Sequence, residues 1–253
     1  MVFECCIPAG HPALSGHFPG RPIVPAALLL NEISRGIERL IGEQFCCVKK
    51  VRFSAPIKPD QLITVDYREV NLGEYRFECR VVERVVAKGL LSTAGGNIDL
   101  LSLPRLDRYS RIDTAAIYQK LPHHGSICLL ESIDQVGQEH IRCTVNPISD
   151  NPLAQDGELP TWASLEYAAQ AFASHGLLNS QVAESGGELR EVWVVGIKYL
   201  YCSDRNFPLS KSSPVITARL IANQPSAASY QFSLNCGTEH LSSGQVNVAF
   251  GPG

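Results

Sequence analysis

The order of elements in this chain occurs twice. Residues 3–7 read as a short strand, a Gly/Pro-rich loop follows, and Leu30, Ile33, Ile37, Leu40 and Ile41 recur at helical spacing up to Gly42. Strand-like segments then span 46–57, 62–70, 75–83 and 85–93. A second cycle begins near Ile112, with paired strands at 128–136 and 140–148, a helix within 159–178, and strands at 190–202, 213–222, 229–236 and 243–250. Setting Pro25 against Pro160 places Leu30 on Leu165, Ile33 on Ala168 and Ile37 on Phe172, so both helices keep their apolar stripes in register. Further on, "KVRFSAPI" meets "GIKYLYC" with Phe53 against Tyr199. Such a repeat decides the architecture of both halves together. One helix accompanied by several antiparallel strands in each half predicts an α+β chain. "AGGNIDLLSLPRLDRYSR" interrupts the periodicity, which predicts units at 1–94 and 112–253 joined by a linker at 95–111.

Composition narrows the function classes. Of the 253 residues 45% are hydrophobic, and 22 basic side chains stand against 25 acidic ones, which suits a soluble protein with a core. There is no basic block of the kind that binds nucleic acid. No run approaches the roughly 18 apolar residues of a membrane span, and "MVFECC" lacks the features of a signal peptide, so the expected compartment is the cytoplasm. The nine cysteines are odd in number and never spaced C-x-x-C; they read as reduced, mostly buried small hydrophobes.

One stretch demands a chemical explanation. "GHFPGRPIVP", residues 16–25, surrounds His17 with conformational constraints and runs directly into the first helix. Pro25 suits the first turn of that helix, where a missing N–H costs nothing. The glycines allow backbone to approach a ligand closely, and the prolines reduce the loop's freedom, so the imidazole is held in place before a substrate arrives. His123 and His124 are adjacent but lack further ligands at metal-binding spacing, so they read as structural and no metal or cofactor is expected. His11 and His175 read as structural too.

At "GHFPGRPIVP" leading into "AALLLNE", the first half resembles the bacterial β-hydroxyacyl-[acyl carrier protein] dehydratases of the hotdog fold; Ala26 stands where a glycine is usual. The second half resembles the same superfamily through "LPHHGSICLLESI", "NPLA" and "LPTWASLEYAAQA", most closely the non-identical partner subunit of aryl-polyene-type clusters. The resemblance implies a double hotdog, in which each sheet wraps one helix and the two repeats form an intramolecular pseudo-dimer. It also implies that each site combines a loop histidine from one unit with a helix carboxylate from the other, six residues beyond the last loop proline. In the first repeat that position is Asn31; in the second it is Glu166, while the G-H-F-P-G segment is missing there. His17 and Glu166 are therefore the expected catalytic pair of one composite site. Glu32 is a poor substitute for Asn31, since one helical step turns it by about 100°.

Dehydration of a β-hydroxyacyl thioester needs a base for the proton next to the carbonyl, and histidine suits that task because it titrates near neutrality. The carboxyl group handles the departing hydroxyl. Burial against Trp162 would raise the Glu166 pKa, unless a partner holds it ionised. By family position the N–H of Thr161 is the expected oxyanion donor at a helix N-terminus. Gly20, Pro25 and Trp162 complete the expected substrate-binding set. The implied partner is an acyl carrier protein with a phosphopantetheine-linked substrate, met near Arg21 or Lys58. Two other readings remain open at this point: a hotdog thioesterase using Glu166, and a non-catalytic acyl-binding or scaffold subunit.

Overall fold

The structure, a computed structural model, describes residues 1–95, 111–146, 151–155, 157–179, 191–203, 206–207 and 213–251. The strands are β1 (Val2–Cys6), β2 (Cys47–Phe53), β3 (Leu62–Asn71), β4 (Glu74–Val81), β5 (Arg84–Ser92), β6 (Ile112–Asp113), β7 (Leu130–Val136), β8 (His140–Val145), β9 (Val192–Cys202), β10 (Val215–Gln224), β11 (Ala227–Cys236) and β12 (Glu239–Phe250). The helices are α1 (Ala26–Ile41), the short α2 (Ala115–Tyr118) and α3 (Ser164–Asn179). All strands join one antiparallel sheet in the order β1-β3-β4-β5-β2-β9-β12-β11-β10-β8-β7-β6.

Read outward from the β2–β9 junction, this order is β2-β5-β4-β3-β1 on one side and β9-β12-β11-β10-β8 on the other. The two sequences of strands correspond one to one, so the repeat is real at the level of topology, and α+β double hotdog describes it. Val51 pairs directly with Ile197 across the seam. These two residues are also equivalent when Phe53 is set against Tyr199, as expected of a pair on the pseudo-twofold axis. β7 and β6 extend the second half beyond the repeat. The sequence had given no sign of α2 or β6. The expected linker, apart from Gly95 and Arg111, lies outside the described residues.

The two central helices are not equivalent. α1 is amphipathic: Leu30, Ile33 and Ile37 are buried, whereas Leu40, expected in the same stripe, is 60% exposed near the helix end. The helix stops at Gly42, whose left-handed backbone (φ 78°) lets its N–H reach the Glu38 carbonyl at 2.8 Å. α3 is buried nearly all round, from Ser164 to Ala168 and Gln170 to His175. A helix with no solvent face must satisfy its polar side chains internally. Glu166, Gln170 and His175 therefore all have protein partners. Pro25 sits one step outside α1, and Pro160 one step outside the short turn Thr161–Ala163 that leads into α3, both with extended backbones (φ −56° and −60°).

Candidate active site

His17 is carried by a loop with little freedom. The chain makes a tight turn at Pro12–Leu14, capped by a hydrogen bond from the Ala13 N–H to His11 Nδ1 (3.1 Å), which gives His11 its structural role. Gly16 then adopts φ 84°, and a Cβ placed there would lie 1.8 Å from the carbonyl oxygen of His124. No other residue fits this approach. His124 N–H donates to the Gly16 carbonyl (3.0 Å) and Phe18 N–H to that of Pro122 (3.0 Å), so the loop of the first repeat is stitched to "LPHH" of the second. Phe18 itself holds a strained φ of 56°. Its ring stacks on Trp193 at 4.8 Å, which stabilises this conformation.

The tautomer of His17 follows from its partner. Nδ1 lies 2.7 Å from the Ile23 carbonyl, which can only accept, so Nδ1 carries the proton and Nε2 presents its lone pair. Burial is the main influence on the ring and lowers its pKa below the ordinary 6.5, with His123 acting in the same direction and Glu166 and the Ile23 carbonyl opposing. His17 is therefore a neutral imidazole at neutral pH, ready to accept a proton.

Glu166 reaches the same place from α3. Burial alone would raise its pKa. The hydrogen bond from His123, the charges of the two histidines and the hydrogen bond from Gln170 outweigh burial and hold it at about 2. Of the two possibilities left open for this carboxyl, the structure selects ionisation by a partner. That partner is His123, whose Nε2 stands 3.3 Å from Oε1 of Glu166. Oε1 also accepts from Gln170 Nε2 at 3.0 Å. Gln170 in turn is fixed at every remaining position: it donates to the Ile127 carbonyl (2.9 Å) and accepts from Tyr118 OH (2.7 Å) and Leu129 N–H (3.0 Å). One ring nitrogen from each of His17 and His123 and one carboxylate oxygen of Glu166 all lie within 4.8 Å of one another.

These groups open onto a cavity of ≈ 950 Å³. His17, Phe18, Pro25, Ala26 and Leu29 line it from the first repeat, and His123, Glu166, Ala169, Ala173 and Gly176 from the second. The last four follow one face of α3, and from Ala169 to Gly176 they give an apolar path about 10 Å long at 1.5 Å per residue. Of the six residues singled out in the sequence, His17, Glu166 and Pro25 come together here. Gly20, Thr161 and Trp162 are not among the lining residues. Thr161 and Trp162 are buried in the turn that precedes α3. Thr161 stands five residues before Glu166, outside α3, and does not reach the cavity that the carboxylate faces. Ala26, the first residue of α1, opens the equivalent helix on the His17 side and does line the cavity. His123 escaped the sequence reading because its neighbour suggested a pair. The two in fact diverge: His123 is buried in the site and His124 is exposed. Only the bridge between His17 and His123 reveals its place, and that bridge crosses the repeats.

The counterpart site, around Asn31, is filled by polar side chains. Asn31 Nδ2 donates to Gln155 Oε1 (2.8 Å), Arg35 donates to the same oxygen, and Gln155 Nε2 donates to Glu32 (2.8 Å). Asn31 is not among the residues that line the cavity.

Comparison with known proteins bears on the family and the fold. Residues 115–252 match the ApeP-like family model, ApeP dehydratase, and residues 1–90 match the ApeI-like model, ApeI dehydratase. The 3-hydroxyacyl-[acyl-carrier-protein] dehydratase FabZ of Chlamydia trachomatis is 29% identical over 108 residues, covering 36% of this chain and 70% of the relative. FabZ of Wolbachia pipientis is 26% identical over 94 residues, covering 33% and 62%. Among solved structures, the dehydratase domain of RzxB from Pseudomonas fluorescens superposes with a TM-score of 0.76 at 14% identity, covering 98% of this chain and 93% of that one. The dehydratase domain of PpsC from Mycobacterium tuberculosis gives 0.76 at 11% identity, covering 99% and 93%.

Proposed function

Because the chain belongs to the ApeP-like dehydratase family, with an ApeI-like dehydratase unit ahead of it, we propose that it dehydrates β-hydroxyacyl thioesters on an acyl carrier protein to trans-2-enoyl thioesters at one composite site between its repeats. The observation that carries this reading is that a neutral imidazole with a free Nε2 and an ionised carboxylate from the other repeat face one apolar cavity. Fatty-acid-like or aryl polyene assembly in the cytoplasm is the setting this implies.

The chemistry follows from the protonation states. His17 Nε2 removes the proton from the carbon next to the thioester carbonyl. The developing enolate oxygen takes a hydrogen bond from a backbone N–H at the start of α1, where the first amides have no intrahelical acceptor; Ala26 supplies it in place of the expected Thr161. Glu166, being ionised, cannot donate a proton, and instead accepts the hydrogen bond of the β-hydroxyl and holds it toward His17. The imidazolium then returns its proton to that hydroxyl as the C–O bond breaks. Water leaves, the C=C bond forms, and His17 is neutral again. The acyl chain lies along Ala169, Ala173 and Gly176. Lys120, on the cavity rim, and exposed Lys58, next to the lining residue Ile57, offer positive charge to an acidic carrier. Arg21 is already held by Glu191 at 2.8 Å and lies over Trp193, so it shapes the mouth more than it attracts a partner.

Incubation of the full chain with a β-hydroxyacyl-carrier substrate tests the proposal by mass spectrometry of the carrier arm. Loss of water from the bound acyl group is the expected result. Release of free acid would identify a thioesterase instead, and an unchanged bound ligand a non-catalytic acyl-binding protein; either outcome overturns the reading.

A further inference from the structure

Three observations around His123 remain without a purpose in the chemistry above. The side chain is only 7% exposed and lines the cavity. Its Nε2 must donate to Glu166, because a carboxylate oxygen can only accept. Its Nδ1 is buried and has no hydrogen-bond partner among the described residues. Nε2 of His140 and of His240, away from the cavity, is likewise buried without a partner among the described residues, so it is the bond to Glu166 together with the cavity position that sets His123 apart. His175 in this same protein shows the contrast: it is bound on one side to Tyr230 OH and on the other to the Gly137 carbonyl, each at 3.0 Å.

We propose that His123 is a positioning residue of the dehydration reaction: its Nε2–H, together with the amide of Gln170, occupies Oε1 of Glu166 so that Oε2 alone is presented to the substrate hydroxyl. The inference rests on the dehydratase reading and deepens it.

The geometry supports this division of the carboxylate. Oε1 accepts two hydrogen bonds, from His123 and from Gln170. Oε2 accepts none among the described residues, although α3 around it is buried. Gln170 holds Glu166 from its own helix, one turn on, and is itself immobilised by Tyr118, Leu129 and Ile127. His123 holds it from the segment before β7, and that segment is the one bridged to His17. A single backbone bridge therefore sets the separation of the base and the carboxylate. The titratable groups facing Glu166 are His17 from the loop before α1 and His123 from the segment before β7, with Tyr118 of α2 behind Gln170; Glu191 on the cavity wall is engaged by Arg21. Because His123 hydrogen-bonds the anion, it also favours the state in which Glu166 can accept but not donate.

Three substitutions separate positioning from mere support, each checked for folding by thermal melting. His123→Phe keeps ring volume and removes the donor. His123→Gln keeps an N–H donor near the position of Nε2, whereas His123→Asn offers one near Nδ1. The expected result is a fall in kcat of about 10- to 100-fold for Phe and Asn with KM little changed, the value of a hydrogen bond to a charged group converted to rate. The Gln variant should recover most of this loss. In the Phe variant the acid limb of the pH–kcat/KM profile, which reports His17, should move upward, since His123 no longer opposes protonation of His17. A folded His123→Phe protein with wild-type kcat and an unmoved pH profile would overturn the proposal, as would equal activity of the Gln and Asn variants. Absence of enoyl product from the unsubstituted chain would instead refute the dehydratase reading itself, so the two failures are distinguishable.

Discussion

The two helix-borne positions six residues beyond a loop proline are related by the pseudo-twofold axis, yet they have become chemically opposite. Around Glu166 a charge is buried, and it persists because His123 and Gln170 hydrogen-bond it while a neutral imidazole stands close by. Around Asn31 the same place holds an amide that meets another amide, Gln155, braced by Arg35 and Glu32. A paired amide is satisfied without any substrate, and among the described residues the group bonded to the Asn31 side chain, the Gln155 amide, cannot serve as a base near neutral pH. An ionised carboxylate with one oxygen free is not satisfied until a donor enters the cavity. Reactivity thus requires a polar group that folding leaves incompletely bonded, and stability favours one that folding completes.

Activity separates the two positions most directly. His17→Ala and Glu166→Gln should each lower dehydration by on the order of 10³-fold, in the range expected for loss of a positioned proton-transfer group. Asn31→Ala should leave the rate within about twofold, since the contribution of an outlying polar group is to stability alone. Steady-state kinetics with one carrier-bound substrate measures all three. In a Glu166→Gln background, Asn31→Glu should restore no activity, because the first repeat would then hold an acid without a loop histidine opposite. Recovered turnover would mean that the counterpart has a base not identified among the described residues.

Stability of the two loops offers the next contrast. Gly16 and Gly157 both have positive φ, 84° and 78°, but a Cβ at Gly16 would strike a backbone oxygen while one at Gly157 meets nothing within 4 Å. Gly16→Ala should therefore cost about 3 kcal/mol or more, and Gly157→Ala about 1 kcal/mol, the cost of the left-handed backbone alone. Denaturant unfolding of the two variants decides the order. Asn31→Ala belongs at the lower end of this scale, at about 1 kcal/mol for one hydrogen bond.

The pH dependence gives the smallest but most specific effect. His17 is held below 6.5 chiefly by burial, so the unfolded chain takes up a proton there before the folded one does. Stability from this group is complete above 6.5 and declines as the pH falls below it. Glu166, held at about 2, contributes stability that is present above the ordinary carboxylate value of 4.5 and is lost as the pH falls toward 2. Both groups predict melting temperatures that fall with acidification, beginning near 6.5. The limb of kcat/KM that reports protonation of His17 should lie below 6.5; a limb above that value would show that Glu166 outweighs burial.

The sequence was legible where local rules decide the outcome. The apolar periodicities located the two long helices and most strands to within a few residues, because each element must bury one face whatever surrounds it. The motif "GHFPGRPIVP" pointed to His17, and the family spacing counted from Pro160 pointed to Glu166; the structure brings both to one cavity. Legibility ended where the answer lies between distant segments. His123 lies 106 positions from His17 in the chain, and its role depends on a bridge that no pattern within "LPHH" encodes. Glu166 was expected to be shifted upward by burial, unless a partner intervened, because desolvation can be guessed from apolar neighbours whereas a hydrogen-bond partner from another segment cannot. Family position points to Thr161 as the oxyanion donor, but Thr161 lies in the turn before α3 and outside the cavity lining, and α1 brings Ala26 to the cavity instead.

By itself, then, the order of residues determined two units of one kind, an imidazole held in the loop of the first and a carboxyl group on the helix of the second. Tertiary structure alone decided that β2 and β9 join the units into one sheet, that His123 and Gln170 keep the carboxylate charged, and that Asn31 lies among polar partners outside the cavity. The physical reason is that periodicity and turn chemistry act over a few residues, whereas ionisation depends on every dipole within several ångströms, and those dipoles arrive from parts of the chain that meet only after folding.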